Sequence, residues 1–264
     1  MYHLNAICLI AVFAPFVRAE TSIEPARIRP AVEKSIALLQ STGKVWFSKR
    51  GCTSCHHSTL PALALMTARR HGVAIDEPAA RDHFHKAYAY LTDLDSLAQG
   101  IETVALAQGD SSALWATQEA GLPQNTASGA LARMLAAQQA GDGHWRTPDV
   151  RQPASGSPFT IAALSLRAID SYLPPGLEHE RKKSIGRARH WLETNKPQSS
   201  EDSAFRLLGA KWSGSKGALR EEYARRLIAE QRPDGGWAQI SGRTSDAYAS
   251  GQVLFALIKA LESQ

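Results

Sequence analysis

Four side chains able to hold a metal or a haem fall within the eight residues "GCTSCHHS" at 51–58. Two thiols three residues apart, with an imidazole directly behind the second, make C-x-x-C-H, the spacing at which c-type haem is attached. In that chemistry Cys52 and Cys55 form the thioethers and His56 is the axial ligand of the iron. A sixth ligand would come from elsewhere, with Met66, Met134 and His71 as candidates, because His57 adjoins His56 and is poorly placed to reach the same iron. The same group suits zinc, through Cys52, Cys55, His56 and His57 or through three of them and a water, and Asp202 or Asp246 could add a carboxylate. A third chemistry is a Cys52–Cys55 disulfide that stiffens a small loop. The sequence leaves all three open.

Compartment and fold must decide among them. Residues 1–19 read as a signal peptide: an apolar run from Ala6 to Val17, too short to span a bilayer, ends in "VRA". Its first residues lack Lys and Arg, and Cys8 would leave with it. No later segment could cross a membrane. The expectation is an exported protein, periplasmic in a bacterium with two membranes, where covalent haem attachment and disulfides are both feasible. Residues 20–30 read as a short leader, and 31–264 as a single domain. The formal net charge of +5 is spread along the chain. Its basic stretches look like solvated helix faces, and no nucleic-acid motif accompanies them. Gly-x-Ser-x-Gly, a phosphate-binding glycine loop and His-Glu-x-x-His are all absent from the sequence.

The elements that carry the loop repeat. "LAAQQAGDGHWRTPDVRQPASGSPFTIAALSLRAI" (135–169) and "LIAEQRPDGGWAQISGRTSDAYASGQVLFALIKAL" (227–261) share one order. Each runs helix, Gln, Asp-Gly turn, Trp, polar loop, then a helix rich in small residues. Trp145 and Trp237 lie two periods of about 46 residues apart, in the range of two-helix repeats. Weaker copies cover 31–72, with Gln40 and Trp46 in the matching places, then 84–121 and 187–212. Val32, Ile36 and Leu39 stack at helical spacing, as do Leu254, Ile258 and Leu261. Ser157 and Pro158 open a helix, "SYLPPG" stops it, and Gly72 follows the basic end of another. Second helices such as "TIAALSL" and "LPALALMTA" are small and apolar and should form an inner layer, with the charged first helices outside. The predicted fold is all-α: an α/α toroid, closed or an arc, of about five helical hairpins.

"QQAGDGHW" and "QRPDGGW" resemble the QW motif of the squalene–hopene cyclase and prenyltransferase repeat families, and "SDAYASGQVLFAL" resembles the inner helix that follows it in bacterial members. The resemblance covers most of residues 31–262 and implies an α/α toroid. It also implies structural roles for Gln139 with Trp145 and Gln231 with Trp237, tying the end of an outer helix to the next turn. The family's catalytic pattern transfers poorly. Class II terpene cyclases protonate an alkene with the middle Asp of Asp-x-Asp-Asp, whereas the nearest string here, "DLDS" at 93–96, lacks the last Asp. A full cyclase has two helical barrels and this chain has room for one. No stretch reproduces the Asp, Cys and His zinc set of protein prenyltransferases.

In a toroid the starts of the inner helices meet at one rim. Those starts carry Cys55, His56 and His57, then Glu102, then Ser157 and Thr160, then Glu201 and Asp202, then Asp246. Each acid also suits an ordinary helix N-terminus. Asp202 and Asp246 are the candidate catalytic acids. Trp46 and Trp212 could face a pocket and Tyr248 and Phe255 could line a cavity, with core packing the default for all four, and His83, His85, His144, His179 and His190 are expected at the surface. Residues 76–82 read as a charged connection. Three functions fit: a haem- or metal-bearing binding or redox protein, a cyclase-like enzyme on an isoprenoid or other apolar small molecule, and a non-catalytic scaffold for a protein partner or glycan.

Overall fold

The computed structural model describes residues 25–49, 55–89, 95, 106–146 and 156–261. Every regular element among them is helical. Helix α1 spans Pro25–Lys49, and a π-helical turn at Cys55–Thr59 runs straight into α2, Leu60–Arg70. There follow α3 (Glu77–Tyr88), α4 (Leu106–Glu119), α5 (Thr126–Gln138), α6 (Pro158–Tyr172), α7 (Glu178–Thr194), α8 (Ser200–Trp212), α9 (Gly217–Ala229) and α10 (Ala247–Leu261). No described helix is long and apolar enough to cross a membrane.

Burial divides the helices into two layers. In α6 every residue from Phe159 to Leu166 is buried, and α8 is buried along most of its length. By contrast α7 buries only Ser184, Ala188 and Leu192, a single stripe at four-residue spacing, and α9 buries only Tyr223 and Leu227. The buried helices pack on one another in chain order, α2 on α4, α4 on α6, α6 on α8 and α8 on α10, while α5, α7 and α9 cover them from outside. Small residues permit this closeness. A Cβ on Gly209 of α8 would strike Leu192 of α7 and press on Ala163 of α6. One continuous apolar cluster, from Ala62 to Ala256, results.

The two Gln/Trp turns are near-copies at the level of single bonds. The Trp145 indole N–H donates to the Leu135 carbonyl at 2.7 Å, and the Trp237 N–H donates to the Leu227 carbonyl at the same distance. Each bond reaches back into the last turn of an outer helix, where carbonyls lack helical partners. Gln139 Nε2 donates to Gly143 at 3.0 Å, as Gln231 Nε2 does to Gly235 at 2.8 Å. Both turns need a glycine, Gly143 at φ 106 and Gly235 at φ 83. A Cβ on Gly143 would also collide with the Arg187 backbone.

Their surroundings differ. Gln139 is 8 % exposed and joins two hairpins. Its Nε2 also donates to the Ser184 carbonyl at 3.0 Å, and its Oε1 accepts from Ser184 Oγ at 2.8 Å and Arg187 at 2.7 Å. All four hydrogen-bonding positions of the amide are thus filled. Gln231 is exposed.

A second set of ties closes the opposite ends of the buried helices. Arg70 donates to the Glu119 carbonyl at 2.7 Å, Gln124 to Tyr172 at 2.7 Å and Lys211 to Lys259 at 2.6 Å. Each reaches from beside the end of one buried helix to a last-turn carbonyl of the next, where two of the donors are cations facing the negative end of the helix dipole.

Several expectations need correction. Helix α1 starts at Pro25, inside the segment read as a leader, and it runs through Gln40 and Trp46 without a turn. No Asp-Gly follows Gln40, and the apolar stripe of Val32, Ile36 and Leu39 continues through Gly43 to Phe47, so nothing breaks the helix. Gln40 still bridges hairpins, exchanging bonds of 2.8 and 3.1 Å with the backbone of Asp76. The supposed connection at 76–82 is the start of α3, capped by the Asp76 side chain at 3.1 Å from Ala79 N. In α10 the buried face is Ala249, Val253 and Ala256, while Leu254 and Ile258 are 48 % and 59 % exposed. The Ser157 cap, the stop before "LPPG" and the Gly72 terminus lie where expected.

Because Gln139 serves two hairpins and Gln231 one, matched substitutions should diverge. Gln139→Ala should lower unfolding stability by about 2–4 kcal/mol, since it leaves buried donors and carbonyls unpaired. Gln231→Ala should cost about 0.5 kcal/mol or less. Urea denaturation followed by far-UV circular dichroism measures both.

Candidate binding cavity

The buried helices do not fill the space between them. A cavity of about 610 Å³ is walled by residues of α2, α4, α6, α8 and α10, with Leu39 of α1 at its edge. Leu60, Pro61, Leu63 and Ala64 form the α2 wall, Leu164 and Phe205 the α6 and α8 walls. Its size and apolar lining are those of a small-molecule site.

One end is polar. Thr160 of α6 and Tyr248 of α10 line the cavity close to their helix starts. Both hydroxyls donate to one carboxylate: Thr160 Oγ1 to Glu201 Oε1 at 2.7 Å and Tyr248 OH to Glu201 Oε2 at 2.8 Å. Glu201 is only 4 % exposed. It sits in the first turn of α8, and each of its carboxylate oxygens accepts from one of these two hydroxyls. Three helices are thereby held together at one rim by a buried acid.

Asp202 stands beside it, 7 % exposed. Its Oδ1 accepts from Ser157 Oγ at 2.6 Å and its Oδ2 from Gln198 N at 2.8 Å, while Ser199 Oγ caps its own amide at 3.0 Å. Asp246 caps α10 through Ala249 N at 2.9 Å and accepts from Gln239 at 3.2 Å. Both candidate acids are therefore engaged in ordering helix starts. Glu201, grouped with them at the rim by sequence, is the acid whose partners face the cavity. Glu102 lies outside the described residues, as do Asp93, Leu94 and Ser96 of the "DLDS" string, whose Asp95 is exposed.

Cys52 also lies outside them, and of Cys55 and His56 only the backbone is described. That backbone forms the turn leading into Leu60 and Pro61 of the cavity wall. Two ring contacts hold the turn. His57 stacks on Trp46 of α1, centroids 4.3 Å apart and planes 7° from parallel. His83, expected at the surface, is 4 % exposed and places its Nε2 2.8 Å from the Ser58 carbonyl. A carbonyl only accepts, so Nε2 carries the proton, and burial lowers the pKa of this imidazole. Ala80, His83 and Ala87 share the buried stripe of α3, a spacing readable once that segment is recognised as a helix. Of the candidate sixth ligands, Met66 accepts from Arg69 at 3.5 Å and His71 is exposed at the end of α2. Met134 lies on outer helix α5, and none of the three lines the cavity.

Sequence reasoning missed Asp110. It lies on α4, 2 % exposed, and its Oδ2 has no hydrogen-bond partner among the described residues. Burial alone pushes its pKa up to about 7, so near neutral pH the group can take up or release a proton. The only sequence signal is an acid within a run otherwise suited to burial, "LAQGDSSALWA".

The chain matches no protein-family model, no curated protein and no solved structure.

Asp110 gives stability a definite pH dependence. Between the unfolded value of 3.8 and the folded value of about 7, the folded chain holds a proton that the unfolded chain has released. Its contribution to stability is therefore lost as pH rises through that window. Asp110→Asn should match the wild type near pH 4 and exceed it at pH 8 by on the order of a few kcal/mol. Urea titrations across that range provide the measurement.

Proposed function

We propose that this chain is an exported α/α-toroid binding protein of the squalene–hopene cyclase and prenyltransferase repeat type, with a c-type haem on the Cys52–Cys55–His56 loop at the mouth of its cavity. The observation that carries the reading is one apolar space walled by five successive buried helices. The duplicated Gln/Trp turns, identical in their indole bonds, support the repeat class.

The residues present fit a haem. Cys52 precedes, and Cys55 and His56 begin, a helical turn that delivers the chain to an apolar wall. His57, stacked on Trp46, is held against α1. His56, two residues before the Ser58 carbonyl that meets His83, would then be the residue that holds the iron, with Cys52 and Cys55 holding the porphyrin. When bound, the haem would supply one-electron chemistry at the cavity mouth. The protein's own share is to hold an apolar molecule between α2, α4, α6, α8 and α10, to keep water from it, and to offer Glu201, Thr160 and Tyr248 to a polar end.

Mature protein made in a host with haem-attachment machinery should show a Soret band that survives acid-acetone extraction. Cys52→Ala with Cys55→Ala should abolish it, and His56→Ala should shift the band while the thioethers stay intact. A colourless chain holding one zinc, or a metal-free chain with a Cys52–Cys55 disulfide, would overturn the haem assignment.

A further inference from the structure

The last buried helix has a bare side. Each of α4, α6 and α8 lies between two other buried helices, whereas α10 packs on α8 and on the outer helix α9. Its buried residues Ala249, Val253 and Ala256 occupy one side. Among its described residues the exposed ones are Ala247, Gly251, Leu254 and Ile258. Steps of four, three and four residues align them in one stripe on the opposite side of the helix, where a further buried helix would stand. None of the four is polar. Outer helix α7, by contrast, exposes Glu178, Glu180, Lys182 and Lys183. Gly251 is a second, independent sign. A glycine inside a helix weakens it relative to alanine. Here a Cβ would meet nothing within 4 Å, so the chain's own packing does not require the glycine. A helix docked across the stripe would.

The stripe is complementary to itself. When two copies of α10 pair antiparallel about a twofold axis between Gln252 and Val253, Leu254 of each faces Gly251 of the other, and Ile258 faces Ala247. Every layer then joins one large side chain to one small residue. Parallel pairing would set Leu254 against Leu254, holding the helices apart there, and leave a gap where Gly251 meets Gly251. Ala247 and Gly251 also border the cavity. We infer that this chain forms a twofold dimer through antiparallel α10 helices, in which Leu254 and Ile258 of each copy close the α10 edge of the other's cavity. The inference rests on the helix arrangement and is independent of the haem and of any ligand.

Sedimentation equilibrium of the full chain tests it and should show a monomer–dimer equilibrium. Gly251→Leu adds a side chain where the chain's own atoms leave room, and it fills the space that would receive Leu254 of the second copy. Leu254→Gly empties the same layer. Each should weaken the dimer about ten-fold or more. Combining Gly251→Leu with Leu254→Gly exchanges large and small within that layer and should restore association to within about three-fold of the wild type. Leu254→Lys changes an exposed position, so it should yield a monomer with the far-UV circular dichroism of the wild type. A wild-type chain that stays monomeric into the millimolar range would overturn the inference. So would a dimer indifferent to Leu254→Lys, or an exchanged variant that associates no more tightly than its two single variants.

Discussion

Helices standing side by side must still satisfy the backbone groups at their ends, and in this protein several of those ends are met by side chains from the turn that follows or from a neighbouring hairpin. Water cannot serve a helix end that has been covered. The indoles of Trp145 and Trp237 therefore reach the carbonyls of Leu135 and Leu227. Arg70, Gln124 and Lys211 close the far ends of α4, α6 and α10. These bonds are directional where apolar packing is not, so they fix how far each hairpin is rotated and raised against the last.

That register creates the cavity. The buried helices are rich in small residues and could approach further if packing alone set their spacing. Tied in this way, they stand with Leu164, Phe205 and Phe255 around an open centre. The same register carries Thr160, Glu201 and Tyr248 to one rim from three different helices. It also sets the Cys55–Thr59 turn against α3, where Ser58 is bound by His83. Structure and proposed activity thus share one cause: the ties that satisfy helix ends also decide which side chains meet.

Much of this was legible in the residues. The Gln, Asp-Gly and Trp spacing marked two turns that the structure repeats bond for bond, and small-residue helices between charged ones marked the layers. Ser157 and the prolines at 174–175 placed the ends of α6. Other features were hidden for identifiable reasons. The Gln40–Trp46 pair has the right spacing but no Asp-Gly, and spacing alone does not turn a helix. His83 looked like a surface residue because its helix was hidden within a charged stretch. Leu254 and Ile258 share the periodicity of a core stripe yet are exposed, because α10 is apolar on nearly every side and periodicity cannot then choose a face. Glu201 and Asp202 are adjacent acids at one helix start, and only tertiary geometry separates the one whose partners face the cavity from the one that caps.

The central claim is that all the buried helices share one ligand space. Photolabelling of the full chain with benzophenone, followed by mapping of the modified residues by mass spectrometry, tests it most directly. Adducts should appear together on the inward residues of α2, α4, α6, α8 and α10, around Leu63, Trp115, Leu164, Phe205 and Phe255. Labelling confined to exposed apolar positions such as Leu38, Leu254 and Ile258, with the inward residues unmodified, would contradict it.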